Sequence, residues 1–547
     1  MNKKTNLSSS KEKSQGLPYP GGLREKQENP PTGLVVIGGG ITGLSTAIAW
    51  ALTHNVTQEP VTVLEKQPIV GGCVTSFRRE GYLFDTTQII PDCRDVLEYL
   101  GISVELERFT GDYCKIFKVY PSSSTASPKV LEIPSGFEAF FNRLQQQYPF
   151  QREALKHFME YSRGIYQELF HLKTEPNLFQ LLQTLIQCPK LLRVKDDTFS
   201  QYLDRFGIND PDLRETLGVF AIFGGLSSQR IAALMPVAAL TSTLEGAYRP
   251  KQGFIHLPLA MRRRLEELGG KVRCNSPVKR ILVEKGVAQG VELEKGEVIR
   301  SQWVVTTVDP KIAVERLIGR NILEKANPAY VRKVDEVRMS VSSMTISLGL
   351  DEGFDLHRFN LSRGYNVITT GGDTFETLLQ AAERGELVLD PNRFHFAVIS
   401  PSLTIGGKPT LILRVVPMAM GDWAELRSSD YSAYTRKKQQ VADFYIALAE
   451  QYLIPGLSSA IRYRDIATPA TFARYIGSPT GSNYDMAPYP DNFGRKRLSL
   501  RTPIRGLLQP KFSHGLWPSL QAGLQAVDLI NGGKILGGNS RYRASIF

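Results

Sequence analysis

The apolar positions of this chain fall into runs with two different periods. The first strong run is Leu34-Val35-Val36-Ile37, unbroken by a polar residue and followed by Gly38-Gly39-Gly40-Ile41-Thr42-Gly43. An apolar run of this kind bounded by turn residues predicts a buried parallel strand, and the segment from about Thr42 to Leu52 predicts a helix behind it. Leu34 to Leu52 is a stretch of 19 residues without a charge, close to the ~20 that a membrane span requires. Four glycines within six positions break a membrane helix but suit a strand, a tight turn and a new helix. No other run reaches that length, so any membrane contact is expected to be peripheral.

Val61-Thr62-Val63-Leu64 predicts the next strand, and Leu257 to Leu268 a helix. Helical periodicity dominates residues 130–245, whereas 340–455 opens on the alternating stretch Val341 to Leu348 and includes the apolar run Phe394 to Ile399. Leu178, Leu181, Leu182 and Leu185 recur at i, i+3, i+4 and i+7, followed by Pro189, Lys190, Arg193 and Lys195. Such a stripe either faces the protein core or, with its basic edge, lies at a lipid interface. There is no internal repeat. Met1 to Pro31 has no apolar stretch long enough for a signal peptide and reads as a flexible basic tail. A cytoplasmic, membrane-peripheral location fits this, with a plastid-type transit peptide as the alternative, because the first eleven residues are rich in Ser and lack acids.

Length and charge narrow the picture. At 547 residues the chain is far larger than a small binding module, and with 42% apolar residues it can bury a sizeable core. A formal charge of +12 favours anionic partners, nucleic acid or lipid headgroups. Nucleic acid has no motif behind it and is not expected. The basic cluster Arg495, Lys496, Arg497, Arg501, Arg505 and Lys511 suits lipid phosphates, a flavin pyrophosphate or a solvated loop. The five cysteines form no C-x-x-C pair, and the seven histidines show no i, i+4 pairing, so neither a disulfide framework nor a metal site is expected.

The chemistry begins at Gly38, Gly40 and Gly43, a G-x-G-x-x-G between a strand and a helix. The first glycine makes the turn, the second admits a pyrophosphate to the backbone, and the third lets helix and strand pack closely. The helix N-terminus then offers free N–H groups and partial positive charge. Glu65 ends the second strand 22 residues beyond Gly43, where a carboxylate accepts hydrogen bonds from a ribose. The pair Gly71-Gly72 beyond it favours FAD over NAD.

With these residues and Arg79-Glu80-Gly81-Tyr82-Leu83-Phe84-Asp85 assembled, the sequence resembles the flavoprotein family of phytoene desaturases, carotenoid isomerases and retinol saturases, within the amine-oxidase-like superfamily. Three further blocks follow in family order: Tyr248 to Phe254 with Asn275 to Ile281, Thr468 to Tyr484, and Thr502 to Leu507 with Gly523 to Ile530. The resemblance implies an α/β fold, a Rossmann-like FAD-binding domain with an inserted α+β substrate domain whose mixed sheet is capped by helices. It implies a tail over 1–32, a discontinuous flavin domain over 33–110, 248–310 and 500–547, and a substrate and membrane-associated domain over 111–247 and 311–499. Val278 is implied to lie against the adenine end of FAD through its backbone, and Gly523 to belong to the cofactor site.

Two departures from the family pattern fall on the flavin-ring side. Thr86-Thr87-Gln88 stands where a glycine is usual, and Gln509 to Ser519 replaces a glycine-rich loop. His514 in that loop is the candidate acid or base. Cys73 and Trp517 are placed near the ring, each with ordinary packing as the plainer reading. A bound flavin takes or gives a hydride, so the implied activity is an FAD-dependent oxidoreductase acting on a long apolar isoprenoid such as a carotenoid-like polyene at a membrane surface. Desaturation, saturation and isomerisation stay open. Two alternatives stand beside it, a non-catalytic isoprenoid carrier on the same scaffold and an amine oxidase.

Overall fold

The computed structural model describes residues 33–87, 89–121, 127–172, 178–510 and 515–533, with backbone alone at 404 and 495. The tail expected over 1–32 and the candidate His514 lie outside the described residues.

Leu34–Ile37 is a strand whose four side chains are all buried. Such a strand needs cover on both faces, which a parallel sheet with flanking helices supplies. It lies at the centre of a five-stranded sheet in the order Lys271–Arg273, Val61–Leu64, Leu34–Ile37, Trp303–Thr306, Leu507–Leu508, with every pairing parallel. The helix behind it, Ile41–Thr53, is buried along most of its length and packs against two others, His256–Glu267 and Leu516–Ile530. At the last contact Gly523 has no side chain because Ser45 Cβ and Thr42 O lie within 2.7 Å of where its Cβ would stand. The Ser45 hydroxyl donates to the Leu520 carbonyl at 2.7 Å.

A separate seven-stranded mixed sheet runs in the order Ile461–Ala467, Ser342–Leu350, Thr410–Met418, His395–Ile399, Tyr365–Thr369, Asp112–Lys118, Lys129–Pro134. The fold is therefore the expected α/β arrangement, a Rossmann-like parallel sheet beside a mixed sheet with helices. The alternating stretch forms the strand Ser342–Leu350, which is buried almost throughout. Met344, Ile346 and Leu348 pack on the long helix Tyr431–Tyr452, and Thr345 and Ser347 on the opposite face line an internal cavity.

Against the mixed sheet packs a layer of helices that includes Arg152–Leu169 and Leu234–Glu245, sharing with its strands one large core built on Phe140, Phe158, Phe199 and Phe220. One helix of this region is unlike the rest. Leu178–Gln187 has no buried residue, and Leu178, Phe179, Leu182, Leu185 and Ile186 are 54–81% exposed. No helix among the described residues is long and apolar enough to cross a membrane. The basic run near 500 does not form one face: Lys496 pairs with Asp196 at 2.6 Å, and Arg497 is buried, which pulls its pKa down to about 9. Lys511 and the Arg495 side chain lie outside the described residues.

Candidate functional site

The glycine turn closes tightly. Gly38 has φ 108°, a conformation that L side chains avoid, and a Cβ on Gly43 would stand 1.9 Å from the Gly38 carbonyl oxygen. Gly40 differs from both. Its φ is −75°, and the nearest atom to an added Cβ is Gly72 Cα at 3.9 Å. Gly40 and Gly72 thus approach each other closely and together present bare backbone to the cavity. Gly71 and Gly72 adopt φ 129° and 59°, and the Gly71 N–H donates to the Gly39 carbonyl at 2.8 Å. The helix starting at Ile41 has no side-chain cap, leaving first-turn N–H groups for an anion.

Glu65 is buried and lines the same space. Its Oε2 accepts from the Gly39 N–H at 2.7 Å and its Oε1 from the Gln67 N–H at 2.8 Å. Each oxygen keeps a lone pair for a hydroxyl. The Ser276 N–H donates to the Glu65 carbonyl at 2.9 Å, which sets Val278 into the wall beside it. Gly38, Gly40, Glu65, Gly71, Gly72 and Val278 therefore come together around one cavity. Gly43 and Gly523 do not line it; they stand behind the wall, where helices and strand approach most closely. A bare glycine wall, an uncapped helix terminus and a buried carboxylate around one cavity are a donor set that fits a flavin dinucleotide.

The cavity measures about 1270 Å³, larger than the roughly 300–1,000 Å³ of an ordinary small-molecule site. It extends from the glycine cradle to a wall of Tyr166, Leu169, Phe170, Phe223, Tyr365 and Tyr484. Cys73 and Trp517 both line it, and Trp517 packs edge-on against Phe170 at 5.8 Å. Among the described side chains of the basic cluster, Lys496, Arg497, Arg501 and Arg505, none lines the cavity, which goes against the reading of these four as cover for a pyrophosphate.

Two features lie beyond what the sequence shows. Asp85 and Arg249, from two separate motif blocks, form a buried ion pair at 2.5 Å. The Phe254 N–H also donates to Asp85 Oδ1 at 3.1 Å, and the Ile255 N–H to the Ser76 hydroxyl at 3.0 Å. Arg414, in the apolar strand Thr410–Met418, reaches into the cavity. The signal for both is an arginine set among residues that otherwise read as buried. Among the described residues no group of His, Cys, Asp and Glu could hold a metal.

Comparison with known proteins agrees with this geometry. A family model described as FAD dependent oxidoreductase matches residues 34–375. The chain is 24% identical to prolycopene isomerase of Daucus carota, over 82% of this chain and 71% of that protein. It is 24% identical to all-trans-retinol 13,14-reductase of Danio rerio, over 86% and 81%, and 22% identical to a 4,4'-diapophytoene desaturase of Staphylococcus aureus, over 83% and 89%. Among solved structures it resembles the cyclohexylamine oxidase of Brevibacterium oxydans, with TM-score 0.57 at 14% identity over 92% of this chain and 99% of the other. An oxidoreductase of Methanosarcina mazei gives TM-score 0.58 at 14% identity, over 91% and 100%. The structural likenesses show the fold alone, whereas the curated relatives include the desaturase, isomerase and retinol-saturating proteins named by the motif blocks.

Proposed function

The chain belongs to the family of FAD dependent oxidoreductases, and from that premise we propose that it acts on a long apolar isoprenoid, a carotenoid-like polyene, taken from a membrane surface. The observation that carries this reading is the continuity of one cavity from the glycine cradle to an apolar, aromatic wall. That wall includes Leu169 and Phe170, at the end of helix Arg152–Leu169. The exposed helix Leu178–Gln187 follows a few residues later, with Lys190, Arg193 and Lys195 beyond it. An apolar face edged by lysine and arginine suits an anionic lipid surface.

Bound FAD supplies the acceptance or donation of a hydride at its ring. The chain's own residues do the rest: Gly40 and Gly72 admit the pyrophosphate, Glu65 holds the ribose, and the aromatic wall orients a polyene and excludes water. We also propose the division into a flavin-binding part over 33–110, 248–310 and 500–547 and a substrate-binding part over 111–247 and 311–499. An amine substrate is disfavoured by Arg414, whose positive charge in the same cavity repels an ammonium group.

The test is an absorbance spectrum of the purified protein before and after anaerobic reduction, followed by incubation with polyenes in liposomes. Reversible reduction of bound FAD and a changed polyene spectrum are expected. Oxidation of primary amines in place of polyenes would overturn the substrate class. A folded protein that takes up no FAD and still extracts polyene would establish the carrier.

A further inference from the structure

Arg414 lines the cavity between the Thr86 segment and the aromatic wall. Thr345 stands directly opposite it across the antiparallel pair of strands, so the two side chains share a face, and both line the cavity. Arg414 Nη2 donates to the Thr86 carbonyl at 2.6 Å, its only hydrogen-bond partner among the described residues. Its Nε is buried without a partner, and so is Thr345 Oγ1. The guanidinium lies close enough to Tyr365 and Tyr484 for its charge to act on both, yet burial raises both phenols, Tyr365 to about 12. Neither therefore supplies a negative charge. Tyr365 in turn packs on Phe223 of the helical layer at 5.5 Å, which sets the guanidinium at the junction with the aromatic wall.

A guanidinium carries five donors in a planar fork that matches a carboxylate. With one protein partner for the fork, its remaining donors can be taken by a ligand oxygen that enters the cavity. We propose that Arg414 and Thr345 bind a carboxylate or carbonyl oxygen at one end of the substrate, which makes the substrate an oxygenated isoprenoid rather than a bare hydrocarbon. This rests on the apolar-chain reading of the cavity and sharpens it. The oxygens on the flavin ring are the other source of the same chemistry, and the experiment separates the two.

Holoenzyme is titrated with three all-trans polyenes of twenty carbons, ending in a carboxylic acid, an alcohol or a hydrocarbon. Binding is followed by fluorescence quenching, and the midpoint potential of the bound flavin is measured in parallel. The unaltered protein should bind the acid at least about tenfold more tightly than the hydrocarbon, as expected for a charge-assisted hydrogen bond. Arg414→Leu should bring the two within about twofold, leave the flavin potential unchanged, and retain FAD. Arg414→Lys should keep part of the preference, and Thr345→Val should reduce it; these two carry the test if the leucine variant does not fold. Equal binding of acid and hydrocarbon by the unaltered protein overturns the role of Arg414 alone. A shifted flavin potential with the preference intact reassigns Arg414 to the flavin. Failure of all three polyenes to bind a flavin-loaded protein overturns the apolar-chain reading together with this one.

Discussion

At the scale of single residues, the three glycines of the turn have different jobs, and substitution separates them. A Cβ on Gly40 meets nothing closer than Gly72 Cα at 3.9 Å, so Gly40→Leu should fold with near-normal stability while losing FAD, as released-cofactor chromatography would read. Gly43→Ala drives a methyl against the Gly38 carbonyl at 1.9 Å and should cost on the order of 1–3 kcal/mol in a denaturant titration. Asp85→Asn strands the charge of Arg249 in a fully buried position. A loss of about 3–5 kcal/mol is expected, and an unchanged midpoint would show that the pair is not structural. His395 is buried, and burial holds its pKa down at about 4. The unfolded chain binds its proton near pH 6.5, so the stability that the neutral imidazole allows is present above that value and is lost as pH falls from 6.5 to 4. His395→Phe should remove a slope worth on the order of 3 kcal/mol over that window.

The turn glycines and Glu65 are legible in the sequence because a single strand-turn-helix-strand unit fixes their relation within 28 residues. Asp85 with Arg249, and Arg414 with Thr345, are not, since each pair is assembled by strands far apart along the chain. The same limit appears among elements. Val61–Leu64 follows from an apolar run, and Ile41–Thr53 is recognised to within one residue at each end. The strand Ser342–Leu350 reads correctly as a strand, but its period says only that two faces differ. Whether the serine and threonine face meets water or a cavity depends on the strands and helices beside it. The helix Leu178–Gln187 poses the converse problem: its stripe is legible, its partner is not. Leu182→Ser with Ile186→Ser should leave thermal stability within about 0.5 kcal/mol, because both side chains are already exposed.

For the molecule as a whole, that helix and the cavity make one expectation. The same double substitution should weaken sedimentation with anionic liposomes, and the remaining binding should fall further as salt screens Lys190, Arg193 and Lys195. Sedimentation equal to that of the unaltered protein would remove the helix from any role at a membrane. Polyene turnover from liposomes should fall in parallel, while turnover of a detergent-dispersed polyene is preserved.

The packing of Ser45 against Leu520 joins residues 475 positions apart, and this bears on how the protein is made. The helix Ile41–Thr53 is synthesised before both of its partners, His256–Glu267 and Leu516–Ile530, and the second of these is the last of the described elements. At ~5–20 residues per second the gap lasts roughly 25–95 s. During that interval the nascent chain presents a sticky segment that holding chaperones must shield. Leu516 to Ser519 of that last helix line the cavity, so capture of the cofactor follows the helix's synthesis, and a cell short of chaperone capacity would accumulate this protein as aggregate before it accumulated the flavin-free form.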